Sequence, residues 1–96
     1  MTVAAAIERK LTAAFAPSEL EIVDDSHRHA GHAGASPAGE THFNVRIVAA
    51  AFEGQSRVAR QRALYKALAE ELAGPVHALA LEALTPTEAR GRQGGP

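Results

Sequence analysis

The stretch THFNVRIV (41–48) alternates strictly, with Phe43, Val45 and Ile47 on one side of an extended chain and His42, Asn44 and Arg46 on the other. Such a strand is half-buried. It commits the chain to a sheet with one covered face, and the cover must come from the remainder of a 96-residue chain. A chain of that length builds one core and therefore one domain.

The flanking segments supply the cover. Residues 2–16 read as a helix: Ile7, Leu11 and Phe15 recur every fourth residue, with Ala4 and Ala14 beside them, Thr2 as N-cap and Pro17-Ser18 as the stop. LEIVD (20–24) reads as a strand with Leu20 and Ile22 on one face. Asp25 to Gly39 is a long connection rich in Gly, Ala, Ser, Pro and His. FEGQS (52–56) forms a turn whose Ser56 caps a helix over 57–72, with Val58, Leu64, Tyr65, Leu68 and Leu72 on its apolar stripe and Gln61 oddly near the middle of it. Gly74-Pro75 ends that helix. VHALALEAL (76–84) is a third strand in which His77 has the parity of Leu79 and Leu81. TPTE (85–88) is a capping box, with Thr85 as N-cap, Pro86 at the first helical position and Glu88 reaching back to open a short last helix.

The predicted order is α-β-β-α-β(-α). The first two strands pair antiparallel across the long loop, and the second and third pair parallel through a right-handed helical crossover. The expected fold is α+β, a three-stranded mixed sheet with helices on one face. The domain spans 1–90, and 91–96 reads as a disordered tail.

Composition removes several functions. A formal net charge of −1 gives no strong electrostatic pull toward bulk DNA or an anionic membrane, and 4% aromatic residues leave few platforms for base stacking. No apolar run is long enough to span a bilayer. MTVAAAIERKL lacks the basic start of a secretory leader, so a cytoplasmic location is expected. There is no G-x-S-x-G nucleophile turn and no phosphate-cradling glycine loop, and the reading is of a non-enzyme. With no Cys, any metal bound by this chain takes His or carboxylate from it, and any thiolate comes from a partner.

Two groups of residues stand out. His27, His29 and His32 crowd the long loop as H-x-H-x-x-H, a spacing that suits either a solvated loop or two imidazoles on one metal. His77 reads as a satisfied, half-buried histidine, or as a ligand held at the sheet edge and facing that loop. His42, on the polar side of its strand, reads as structural or solvent-facing. The second group is Arg57, Arg60, Arg62 and Lys66, which precede Glu70 and Glu71 on one helix. Bases before acids oppose the helix macrodipole, so a contact with phosphate, a peptide C-terminus or an acidic partner stands beside a solvated face with a Lys66–Glu70 pair.

The segments DDSHRHAGHAG, GETHFNVRIV and AFEGQSRVARQRALYKALAEELAGPVHALALEALTP together resemble the BolA family, from about Ile7 to Thr87. The most specific pieces are ETHF, FEG-x-S, AEEL and PVHALAL. The resemblance implies an α-β-β-α-β-α fold similar to type II KH domains. It also implies a partnership with a monothiol glutaredoxin, the two proteins sharing a [2Fe-2S] cluster with glutathione as co-ligand, in iron–sulfur trafficking or iron sensing. The thiolates would come from glutaredoxin and glutathione. The family's strand histidine corresponds to His77, and its loop ligand to His29 by distance from DDSH, with His32 as the alternative in this longer, histidine-rich loop. Imidazole in place of thiolate raises a cluster's potential. Some members are described as DNA-binding regulators, a role that the basic start of helix two would serve. FEGQSR lacks the second glycine of an RNA-clamping G-x-x-G loop, and Gln61 stands where relatives often carry His.

Overall fold

The alternating segment is the central strand of a three-stranded sheet in the computed structural model, which describes residues 2–25 and 42–93. Strand β2 (His42–Val48) pairs antiparallel with β1 (Glu19–Asp24) and parallel with β3 (Ala78–Leu84). The register matches apolar positions: Ile22 opposes Val45, and Val45 opposes Leu81. Helix α1 (Val3–Phe15) precedes β1, α2 (Arg57–Ala67) and α3 (Ala69–Ala73) make the crossover, and α4 (Pro86–Gln93) follows β3.

One face of the sheet carries the core. Ile7 and Leu11 of α1 and Leu64 and Leu68 of the crossover are fully buried with Phe43, Val45, Ile47 and Phe52. Each such side chain contributes roughly 1.5–3 kcal/mol. Helix α1 begins where expected: the Thr2 hydroxyl accepts the Ala5 N–H at 3.0 Å. It ends at Ala16, whose N–H still bonds the Thr12 carbonyl and whose left-handed backbone (φ 46°) turns the chain out of the helix before Pro17. The Phe15 ring then meets Phe52 with centroids 5.1 Å apart. Gly54, at φ +80°, makes the turn before Ser56, whose hydroxyl accepts the Ala59 N–H to open α2.

Four details differ from the sequence expectation. First, the helix expected over 57–72 breaks at Leu68 (φ −107°, ψ 22°), and the turned segment α3 presents Glu70 and Glu71 to Lys10 of α1, each at 2.8 Å. Second, the buried stripe of α2 runs through Arg60, Leu64 and Leu68, while Val58 and Tyr65 are 57% and 41% exposed. Arg60 tolerates burial because its charge is satisfied. Its Nε donates to the Gln55 carbonyl, Nη1 donates to the Ala83 carbonyl, and the guanidinium forks onto Glu88 at 2.6 and 3.2 Å. With the stripe rotated this way, Gln61 is exposed and no longer anomalous. Third, β3 starts at Ala78 rather than at 76; Val76 is a buried core residue, and His77 lies on a bend. Fourth, α4 runs to Gln93, three residues into the stretch expected as tail, and its Ala89 packs with Val48 and Leu84. Those two share the face opposite Phe43, Val45 and Ile47, so α4 covers one end of the face that α1 and α2 leave open.

The capping box forms as read. The Thr85 hydroxyl accepts the Glu88 N–H at 3.2 Å, and the Glu88 carboxylate accepts the Thr85 N–H at 2.9 Å. The same carboxylate holds Arg60, and chiefly that bond, with the Thr85 N–H second, lowers its pKa to about 2. A carboxylate held below its ordinary value of 4.5 stabilises the fold at pH above that value, and the contribution fades as pH falls from 4.5 toward 2. Urea unfolding of the wild type should therefore show a stability loss across this window. Glu88→Gln should be weaker at neutral pH and flatter below 4.5; a wild-type slope retained in the variant would contradict the assignment.

Candidate functional site

Strand directions converge three chain ends on one place. Antiparallel β1–β2 and parallel β2–β3 pairing put the end of β1 and the starts of β2 and β3 at the same edge of the sheet. The Asp25 N–H donates to the His42 carbonyl at 2.7 Å, and His42 is in register with Ala78. The residues that flank the histidine-rich connection 26–41, Asp25 and His42, thus stand at the sheet end that carries His77. His27, His29 and His32 lie outside the described residues.

His77 is exposed, contrary to the half-buried expectation. Its parity with Leu79 and Leu81 does not carry into the bend, because pairing with β2 begins only at Ala78. Its backbone is nevertheless tethered on both sides. Val76 is 3% exposed in the core and donates its N–H to the Glu71 carbonyl at 2.9 Å, while Ala78 enters the ladder. The result is an accessible imidazole on a fixed mount.

The second histidine here is His42. Its ring stacks on that of His77, with centroids 6.4 Å apart and planes 26° from parallel. Sequence reading left His42 on the polar face as structural or solvent-facing and did not join it to His77. The usable signal was the topology itself: each residue stands at the start of one of two strands expected to run parallel. A shallow hollow of about 240 Å³ lies alongside, lined in part by Asp25, His42, Asn44 and Ala78. Among the described residues, no group of three or more His, Asp or Glu side chains could hold a metal ion. A metal group at His77 would need donors from the 26–41 connection or from another molecule, and with no Cys in the chain any thiolate among them would be external.

The basic set on α2 divides. Arg60 is 7% exposed and committed to Glu88, Ala83 and Gln55, which removes it from the expected surface contact. Arg57, Arg62 and Lys66 are exposed. Glu70, the expected partner of Lys66, bonds Lys10 instead, which lowers the Glu70 pKa and raises that of Lys10. Arg57 borders a larger hollow of about 520 Å³ between α2, the far end of β3 and α4, away from the histidines, where the Arg60–Glu88 pair forms part of the wall. Among the described residues, no helix is long and apolar enough to cross a membrane.

An exposed histidine that packs against one neighbouring ring contributes little to folding. His77→Ala should change the unfolding free energy by no more than about 0.5 kcal/mol in denaturant titration. A loss of several times that size would make His77 a structural residue.

Comparison with known proteins agrees with this architecture. The BolA family profile, described as "BolA-like protein", matches residues 11–88. BolA-like protein 1 of Pongo abelii is 50% identical over 86 residues, covering 90% of this chain and 60% of the relative, so this chain spans only part of that protein's length. The DNA-binding transcriptional regulator BolA of Escherichia coli is 48% identical over 87 residues, covering 91% of this chain and 79% of the relative. Among solved structures, BolA1 from Arabidopsis thaliana superposes with a TM-score of 0.83 at 44% identity, covering 92% of this chain and 96% of that one.

Proposed function

The chain belongs to the BolA-like family, and from that footing we propose that it is an iron–sulfur adaptor, not an enzyme, which pairs with a monothiol glutaredoxin and shares a [2Fe-2S] cluster with it and with glutathione. The observation that carries the reading is the accessible His77, mounted at the sheet end where both anchors of the histidine-rich connection meet.

The donor chemistry supports this division of labour. The chain offers imidazole and no thiolate. A cluster sharing an imidazole carries less negative charge and a higher potential than an all-thiolate one, which suits passing on or sensing iron–sulfur more than low-potential electron transfer. His77 would be one ligand. His29 would be the second, with His32 as the alternative. A glutathione-rich compartment such as the cytoplasm suits the required thiols.

The test is co-purification of the chain with a monothiol glutaredoxin, glutathione, iron and sulfide, followed by visible absorption and circular dichroism. Wild type should give a heterodimer spectrum distinct from that of the glutaredoxin homodimer. His77→Ala should abolish that distinct spectrum, and one of His29→Ala or His32→Ala should weaken it. A heterodimer spectrum unaltered by His77→Ala would refute the ligand assignment.

A second reading, a DNA-binding transcriptional regulator, draws on the name of the Escherichia coli relative and on exposed Arg57, Arg62 and Lys66. Three phosphate contacts would give a log–log salt slope of about −3. Neutralising the three side chains should flatten that slope; binding that is independent of salt would contradict direct phosphate contact. The burial of Arg60 and the net charge of −1 make this the weaker of the two readings.

A further inference from the structure

We propose that His42 is a positioning residue for His77, holding its imidazole by ring stacking in the orientation in which it meets an incoming ligand. The inference rests on the cluster-sharing reading above and assigns a task to a histidine that the sequence reading left with a bland one.

The need for such a residue follows from the mount. His77 lies on the bend before β3, outside the strand ladder, and its ring is exposed. Tethering at Val76 and Ala78 fixes its Cα but not its side-chain torsions, and an exposed side chain samples its staggered wells freely. A ligand completed by another molecule must lose that freedom on assembly, so prior orientation favours assembly.

The geometry supplies the restraint. His42 is half-buried and is the first residue of the central strand. Its carbonyl accepts the Asp25 N–H, and its Cα is in register with Ala78, so its own backbone is held from both sides. Its ring lies 6.4 Å from that of His77 with planes only 26° apart, within the range of aromatic pairs. The near-parallel planes set the His42 ring against that of His77, so the task assigned to His42 is to act through His77.

The experiment compares wild type, His42→Ala and His42→Phe in the full chain, first alone and then with glutaredoxin. In the isolated chain, three-bond couplings and ring carbon relaxation report the χ1 populations of His77. Alanine should weaken the preference for the dominant well roughly twofold, the low end of the range for an aromatic pair and the scale suited to rings this far apart, and phenylalanine should restore it. In the heterodimer, the circular dichroism of the cluster should change with alanine and return with phenylalanine. Equal His77 populations in wild type and His42→Ala would overturn the proposal. A phenylalanine variant that behaves like alanine would also overturn it, because His42 would then act through its nitrogens. The coupling measurement needs no cluster, so failure of the cluster reading through His77→Ala remains separate from failure of this one.

Discussion

The parallel pairing of β2 with β3 is the constraint from which the rest of the molecule follows. Parallel neighbours cannot be joined by a tight turn, so the chain must cross over the sheet, and α2 and α3 are that crossover. The crossover covers the apolar side of β2 and closes the core with α1. The same pairing sets the starts of β2 and β3 side by side, and each start carries a histidine. Core and candidate site are thus two consequences of one strand register, at different heights along it.

At the opposite end of the sheet, Arg60 closes the structure. One guanidinium joins the turn before α2, the end of β3 and the first turn of α4 through the Gln55 carbonyl, the Ala83 carbonyl and the Glu88 carboxylate. Glu88 serves α4 twice, as the reciprocal half of its capping box and as the anchor for Arg60. Ala83 is near the end of an edge strand, and a buried cation bonded to its carbonyl there occupies an otherwise open backbone position. The two ends of β3 therefore differ in kind: one is closed by a buried arginine held by an exposed carboxylate, and the other presents an accessible imidazole.

Much of this was legible in the sequence, for local reasons. The alternation of Phe43, Val45 and Ile47, the cap at Thr2 and the reciprocal box at Thr85 and Glu88 depend on residues within a few positions of one another, and each takes its expected place. What sequence reading missed is non-local. Arg60 looked like one of four surface cations because nothing near it reveals Glu88, 28 residues away and folded over it. The break at Leu68 was hidden because the apolar pattern continues through it, whereas the turned segment meets Lys10, about 60 residues earlier in the chain. His77 was read with the parity of a strand that begins one residue after it, and His42 gained meaning only from the register of another strand. The second ligand candidates, His29 and His32, lie in the part of the chain outside the described residues, and for them the sequence pattern remains the support.

The central claim is that the sheet end bearing His77, and not the basic face of α2, meets the cluster. Amide spectra of the isotope-labelled chain, recorded as cluster-loaded monothiol glutaredoxin and glutathione are added, test this directly through paramagnetic broadening. The account predicts that signals of Val76 to Leu79 and of His42 disappear first while those of Arg62 and Lys66 persist. Broadening centred on α2, or none at the start of β3, would contradict it.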